Sequence, residues 1–435
     1  MAAVCVRNEM PAATASFLMK CECTAIVYRL LTSSPACHVY LICRGGAEKL
    51  RRKWSEWLPL KAVEELCDSC RLTVYDGDIL QPDMKLLRTE LETLRSTINI
   101  IIHAASSISL AKPLHRVSKS IIGASEAIAK LSFTCNNLER FVYISTAYAN
   151  AHLFPRSEGP LNDVEIKEEF YNLEKQGNPV DEWNEVQKHG TSEAYESEDF
   201  PWAYAYAKHL TERLLFHNFC QFATKENLLI VRPSIIGPAQ SFPFPGYSMP
   251  MSTPSTMLAA AIALNPSWRW KIATRMALPE ITANADEVPV DVVVDRLLSH
   301  LAAGGYGCIH AVSGKRARLI IQEWWASATK LRRIPWTARP LWLAADWKSQ
   351  EQHRVSRLYV ILGASFAFSE DRTLALSHDL AQQNNLNLQL FTCTDLDDYL
   401  TSREGHVRYV MDKFAQNSKW AWLIVQIFYR NFGHK

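Results

Sequence analysis

Residues 98–106 read INIIIHAAS, an apolar run of strand length that stops abruptly at small and polar residues. A run this short and this rich in isoleucine suits a strand covered on both faces, as in a parallel sheet, better than the alternation of a half-buried strand. Outward from it the pattern repeats: VYLIC at 39–43, RLTVY at 71–75, FVYIS at 141–145 and LLIVR at 228–232. Amphipathic stretches such as 118–131 and 206–222 lie between these runs, so strand and helix alternate through the first three hundred residues. Such alternation implies right-handed βαβ crossovers and an α/β fold with a doubly wound, mostly parallel sheet.

Ligands of such sheets sit beyond the carboxyl ends of the strands. The exits here are Arg44-Gly45-Gly46, Asp76-Gly77-Asp78, His103-Ala104-Ala105-Ser106, Ser145-Thr146-Ala147 and Arg232-Pro233-Ser234. Small and polar residues at every exit describe a groove made for a ligand. Two segments break the rhythm. Residues 155–201 are strongly acidic with few apolar positions and read as a surface insertion, either a solvated loop or a flap over a substrate. From 316 onward the βα alternation fades into Trp-rich, helical sequence. The expected organisation is therefore a dinucleotide-binding domain over 1–315, carrying the insertion, and a smaller, mainly helical region over 316–435.

Composition sets bounds. Hydrophobic residues make up 48% and charged residues 21%, as expected of a chain that buries a core. Lys+Arg number 47 and Asp+Glu 45, a net charge of +2 that favours neither nucleic acid nor an anionic surface. The 11 cysteines read as reduced thiols of an intracellular protein; Cys21/Cys23 and Cys67/Cys70 lack a second pair at zinc-finger spacing, so no metal is expected. No signal peptide is evident, and no window reaches the 18 apolar residues of a membrane span. The nearest, from Trp420 to Tyr429 between Lys419 and Arg430, reads as a buried terminal helix, with an interfacial membrane helix as the alternative. Glycine is scarce: 16 in 435 residues, about half of the usual ~7%.

The residues that carry chemistry centre on Tyr204-Ala205-Tyr206-Ala207-Lys208. Tyr204 and Lys208, at i and i+4, share a helix face. A tyrosine with pKa near 10 exchanges a proton poorly at neutral pH, and a neighbouring ammonium favours its phenolate. The pair alone also fits an ordinary surface helix. Its context adds weight: Ser145-Thr146 end a strand where a hydroxyl could hydrogen-bond a carbonyl, and His103-Ala104-Ala105 is a small-residue strand end against which a cofactor can lie. Asp78 and Ile79 could meet an adenine. Arg44 stands where an acidic residue would select NAD, and an arginine instead welcomes the 2′-phosphate of NADP. Arg44 also reads as a plain surface residue and His103 as a satisfied strand-end histidine.

In this order the motifs resemble the fatty acyl-CoA reductase family, the male-sterility and thioester-reductase branch of the extended short-chain dehydrogenases. The matching blocks are YLICRG (40–45), GDI (77–79), IIHAASSISLAKPL (101–114), FVYISTAYAN (141–150), YAYAKHLTERLL (204–215), IVRPSIIGPAQSFPFPGY (230–247) and ADEVPVDVVVD (285–295), with FSEDRT (368–373) and FTCTDLDDYL (391–400) weaker. The resemblance implies a Rossmann-like fold and NADPH as cofactor. It implies that Thr146, with Ser145 as neighbouring candidate, polarises a thioester carbonyl, that Tyr204 donates the proton, and that Lys208 supports Tyr204 and grips the nicotinamide ribose. Pro233 and Ile235 would lie along the cofactor and acyl channel. The implied substrate is a long-chain acyl-CoA or carrier-protein-bound acyl thioester, reduced to aldehyde or alcohol in the cytoplasm. Peripheral association with the endoplasmic reticulum or peroxisome membrane stays open.

One block departs from the family. Its phosphate loop, T-G-A-T-G-F-L-G, corresponds here to residues 11–19, PAATASFLM. Ala12 and Ala15 replace the first two glycines, and Thr14, Phe17 and Leu18 fill the remaining loop positions. Alanine where φ > 0 is required costs about 1 kcal/mol or more, and its methyl crowds a phosphate oxygen. Three accounts compete: a reductase with a modified loop, an impaired homologue acting as an acyl-binding or scaffold protein, and an N-terminus altered by a mispredicted exon.

Overall fold

Seven strands form the central sheet of the computed structural model, which describes residues 2–7, 21–104, 109–154, 163–249, 253–265, 269–333, 339–383, 388–392 and 396–430. In chain order they are β1 (Ala2–Arg7), β2 (His38–Cys43), β3 (Leu72–Asp76), β4 (Ile100–His103), β5 (Arg140–Ile144), β6 (Leu228–Pro233) and β7 (Gly307–Ala311). Across the sheet the order is β7-β6-β5-β4-β1-β2-β3, the doubly wound arrangement expected. Every strand exit named above lies on one edge, because β2 to β7 all run the same way.

Side chains alternate across the strands, so the two faces carry separate cores. Val39, Leu41, Ile100, Ile102, Val142, Ile144, Leu229 and Val231 face one way. They pack with Ile26, Val27 and Leu30 of helix α1 (Cys21–Ser33), Leu50 and Trp54 of α2 (Gly46–Trp57), and Val293 and Leu297 of α4 (Val290–Ala302). Ile42, Ile101, Phe141, Tyr143, Leu228 and Ile230 face the other way, with Leu215 and Phe219 of helix α3 (Ala203–Phe222). Two-sided burial is why these strands read as unbroken apolar runs.

The central strand differs from expectation. In a sheet otherwise parallel, β1 runs antiparallel to both β2 and β4. It leaves the sheet at the edge where the parallel strands begin, not at the ligand edge. Antiparallel and parallel ladders both satisfy the buried backbone groups of the slot between β2 and β4. Without a glycine turn leading straight into α1, nothing local fixes the parallel direction. Ala12, Thr14, Ala15, Phe17 and Leu18 lie outside the described residues.

The acidic insertion is also corrected. Over 163–201 it folds onto the domain: Asn178 caps a helix, Pro179–His189, whose Trp183 and Val186 are buried. Glu182 is buried too, paired at 2.8 Å with Arg213 of α3. Among the described residues, the segment after 316 is helical with three short strands, and each strand pairs with one from the preceding part. Leu319–Ile320 pairs with Asn284–Ala285, Arg339–Ala344 with Arg269–Thr274, and Phe366–Phe368 with Val164–Ile166. Trp325, Phe366 and Val410 share a core with Leu114, Tyr206 and Trp270. The closing helices are α5 (Leu396–Gln416) and α6 (Lys419–Phe428). The last was expected to be buried; only its Ala421 and Val425 are, followed by Tyr429, while Trp420, Trp422, Leu423, Ile424 and Ile427 are exposed.

Candidate active site

Lys208 anchors the site. It lies on α3, one turn after Tyr204, and is only 1% exposed. Its Nζ donates to the Ile144 carbonyl at 2.6 Å and stands 4.5 Å from the centre of the Tyr143 ring. The ammonium is thereby fixed at the last residue of β5, directly before Ser145 and Thr146. A buried ammonium needs such partners, since desolvation without them costs several kcal/mol. Tyr204 is half-buried and packs on the same apolar cluster as Ile235, so α3 brings it toward the exits of β5 and β6.

The two hydroxyls are not equivalent. Thr146 Oγ1 accepts from Tyr148 N–H at 3.3 Å, capping the short helical turn Ala147–Leu153, and donates to the Pro233 carbonyl at 3.4 Å. Ser145 continues the ladder, its N–H donating to Val231 at 2.7 Å, but its Oγ is buried without a hydrogen-bond partner. An orphaned hydroxyl costs about 1–3 kcal/mol, which a ligand acceptor would recover.

Behind this row His103 shares its Nε2 with Ser125 Oγ at 2.9 Å and stacks on Tyr143, centroids 5.6 Å apart. The histidine thus points into the protein, and only its backbone and the buried Ala104 can floor the groove; Ala105 lies outside the described residues. Sequence reading missed Tyr143, the ring beneath Lys208. Burial pushes its phenol far up, so it stays neutral. It also missed Asp286, whose buried carboxylate accepts from Ser234 Oγ (2.5 Å), Ser313 N–H (2.8 Å) and Gly314 N–H (3.0 Å), tying β6 to the loop after β7. Its position inside ADEVPVD was the available signal. The next aspartate of that block, Asp291, accepts from the Gln240 and Ser241 backbone and so holds the loop after IVRPSIIGPA.

At the exits of β2 and β3 a cleft of about 550 Å³ is lined by Arg44, Gly45, Asp76, Asp78, Gln81, Pro82 and Lys85. Arg44 approaches Asp78 at 3.6 Å and stays half-exposed. The Gly45 N–H holds the Asp76 carboxylate at 2.7 Å and, with Lys85 second, lowers its pKa. Ile79 is buried beneath. Gly77 has no room for a side chain: a Cβ would stand 2.4 Å from Ile42 and 2.8 Å from the Met84 carbonyl. The described residues therefore fit a nicotinamide dinucleotide at two points, a cleft for the adenosine end in which Arg44 and Lys85 are matched by Asp78 and Asp76, and a buried ammonium beside an unpaired hydroxyl for the other. Among the described residues no cluster of three or more His, Cys, Asp or Glu is placed to hold a metal.

An NAD-binding family model described as male sterility protein matches residues 23–297, beginning after the segment 11–19. Fatty acyl-CoA reductase 1 of Xenopus laevis is 28% identical over 289 residues, 63% of this chain and 51% of that protein. Fatty acyl-CoA reductase 2 of Homo sapiens is 27% identical over 294 residues, 66% and 52% respectively. The chain thus spans about half the length of these curated relatives. Among solved structures, the terminal R domain from the myxalamid PKS-NRPS biosynthetic pathway is similar with a TM-score of 0.58 at 15% identity, covering 89% of this chain and 88% of that one. The reductase (R) domain of a nonribosomal peptide synthetase from Mycobacterium tuberculosis gives 0.58 at 14%, covering 92% and 91%. At such identities these two establish the fold.

Proposed function

From the premise that the chain belongs to the male sterility protein family, we propose that it reduces a long-chain acyl thioester, acyl-CoA or carrier-bound, with NADPH. The carrying observation is the buried Lys208, held at the Ile144 carbonyl one turn from Tyr204 and next to the unpaired Ser145 hydroxyl. When bound, the cofactor supplies hydride. The chain's own groups handle the oxygen. Ser145 or Thr146 donates a hydrogen bond to the thioester carbonyl and stabilises the oxyanion as the carbon becomes tetrahedral. Tyr204 gives its proton to that oxygen, and the Lys208 ammonium stabilises the phenolate left behind. Collapse of the hemithioacetal releases the thiol and leaves an aldehyde, which a second round would take to the alcohol. Arg44 at the β2 exit supports NADPH over NADH.

A second reading has its own observation. With β1 leaving at the opposite edge and no glycine before Gly45, the chain could hold an acyl group without turnover. The test is loss of NADPH absorbance with palmitoyl-CoA, with Tyr204→Phe as control. Turnover that falls about 10²-fold or more in the variant supports the reductase. Acyl-CoA binding without NADPH binding or turnover would replace it with the acyl-binding reading.

A further inference from the structure

We infer that His209 is a positioning residue: it ties the turn that Thr146 caps to helix α3, so that the Thr146 hydroxyl and the Lys208 ammonium keep one spacing. The catalytic consequence rests on the reductase reading, but the tie itself does not. His209 follows Lys208 on α3 and is 2% exposed. About 100° further round the helix than the ammonium, it faces the turn Ala147–Leu153, which begins directly after Thr146. Its Nδ1 meets Asn150 Oδ1 at 3.0 Å, joining two buried side chains 59 positions apart. His152 of the same turn meets the ring edge-on, centroids 5.4 Å apart, and Phe200 lies 5.7 Å away. The Ala149 carbonyl is a further acceptor for the ring. Three residues of the turn thus face one side chain of α3.

Burial, then His152, Arg213 and Arg232, hold His209 well below its ordinary pKa, so the ring is neutral and carries one proton. With the Asn150 amide oxygen accepting, that proton sits on Nδ1. The remaining polar atoms, His209 Nε2 and Asn150 Nδ2, are buried without hydrogen-bond partners. Such a pair is costly to bury, and apolar side chains of the same shape would serve stability as well. What the polar pair adds is a fixed direction. The turn needs it. Asn150 sits at a kink, φ −108° and ψ 21°, outside helical values. Thr146 Oγ1 is held at 3.3 Å by Tyr148 N–H and at 3.4 Å by the Pro233 carbonyl, both long for hydrogen bonds. A shift of the turn moves the Tyr148 N–H and with it the Thr146 hydroxyl. Lys208, by contrast, is held at 2.6 Å on the Ile144 carbonyl. The His209–Asn150 bond therefore joins the loosely held hydroxyl to the helix of the firmly held ammonium.

The test compares two variants of the full chain. In His209→Asn the amide nitrogen takes the place of Nδ1 and the ring space is left empty; His209→Leu fills the space but has no donor. A packing role ranks leucine above asparagine, and a positioning role ranks them the other way. With NADPH and palmitoyl-CoA, His209→Leu should lose kcat by about tenfold or more, since ~1 Å of misplacement can cost 10²-fold, while NADPH affinity stays within about twofold. His209→Asn should keep kcat within about threefold. His209→Leu/Asn150→Leu removes both partners, so it should melt closer to the parent than His209→Leu does, with kcat still as low. Deuterium exchange of the ligand-free chain reads the tie without any reaction. Amides of 147–154 should exchange about fivefold faster in His209→Leu and at the parental rate in His209→Asn. If the parent shows no turnover, the reductase reading falls and the exchange rates alone decide on the tie. Parental exchange in His209→Leu overturns the inference. So does kcat ranked with leucine above asparagine, or kcat recovered in the double variant.

Discussion

Two buried histidines make the protein acid-sensitive in a defined window. His300 and His310 flank the seam where 368–373 meets β7, and both are almost wholly buried. His310 Nδ1 donates to the Ser369 carbonyl at 2.9 Å, which fixes the neutral tautomer and leaves Nε2 buried without a partner. A proton there would find no acceptor. Burial, then Arg232 and Arg296, hold its pKa down to about 3. His300 meets Thr373 Oγ1 at 3.0 Å, and burial, Arg372 and Arg296 hold it down to about 4. Unfolded histidine titrates near 6.5. Because the folded values are depressed, the unfolded state binds more protons as pH falls. Stability is fully present above about 6.5, falls by about 1.4 kcal/mol per histidine per pH unit below it, and levels off near the folded values. At pH 5 each histidine has cost about 2 kcal/mol and the two together about 4, a large part of a typical 5–15. The Glu168 carboxylate accepts from His310 N–H at 2.7 Å and is raised by burial, so its protonation opposes this trend. The assay therefore compares urea midpoints from pH 7 to 5 for the parent and for His300→Gln/His310→Asn, in which the carboxylate contributions largely cancel. The parent should lose stability more steeply by about 4 kcal/mol over the window. Equal slopes would refute the assignment of buried neutral histidines.

Two other perturbations address the sheet exits. Arg44→Glu should turn the coenzyme preference from NADPH toward NADH by about tenfold or more in kcat/KM, since a carboxylate there repels a 2′-phosphate and accepts from a ribose hydroxyl; unchanged preference would remove Arg44 from the site. Arg232→Leu should cost about 3–5 kcal/mol, because it strands Glu212, which now holds the guanidinium at 2.6 Å with both side chains buried. Arg232→Leu/Glu212→Leu should recover most of that loss in the same thermal-melt series.

What could be read from the sequence depended on whether a signal was local. The INIIIH, FVYIS and LLIVR runs declare themselves because strands buried on both faces need no alternation, and β4, β5 and β6 form there. Tyr204 and Lys208 were legible through one helical turn. Long-range partners were not. Nothing near FVYIS says that Tyr143 will lie under the Lys208 ammonium, since the two are 65 positions apart and meet only once α3 packs on β5. The insertion looked solvated because its acidic residues outnumber Trp183, Val186 and Phe200; the residue that neutralises Glu182, Arg213, lies on another element. The direction of β1 was equally hidden, because either ladder uses the same backbone groups.

The arrangement separates two properties that a phosphate loop normally joins. Lys208 is positioned by β5 and α3, Ser145 by its N–H to β6, and Thr146 by Tyr148 and Pro233. None of these contacts involves β1 or residues 8–20. Among the described residues the Arg44–Asp78 cleft likewise hangs on β2, β3 and the turns that follow them. On the proposed reading, the reversed first strand and the lack of glycine before Gly45 would weaken the hold on the pyrophosphate and leave the residues at the other two points in place. Loss of binding shared by ground state and transition state raises KM and leaves kcat. If the proposed reduction holds, the glycine deficit of the N-terminal segment should thus appear as weak cofactor affinity, with kcat set by the geometry that β5, β6 and α3 give Ser145, Thr146 and Lys208.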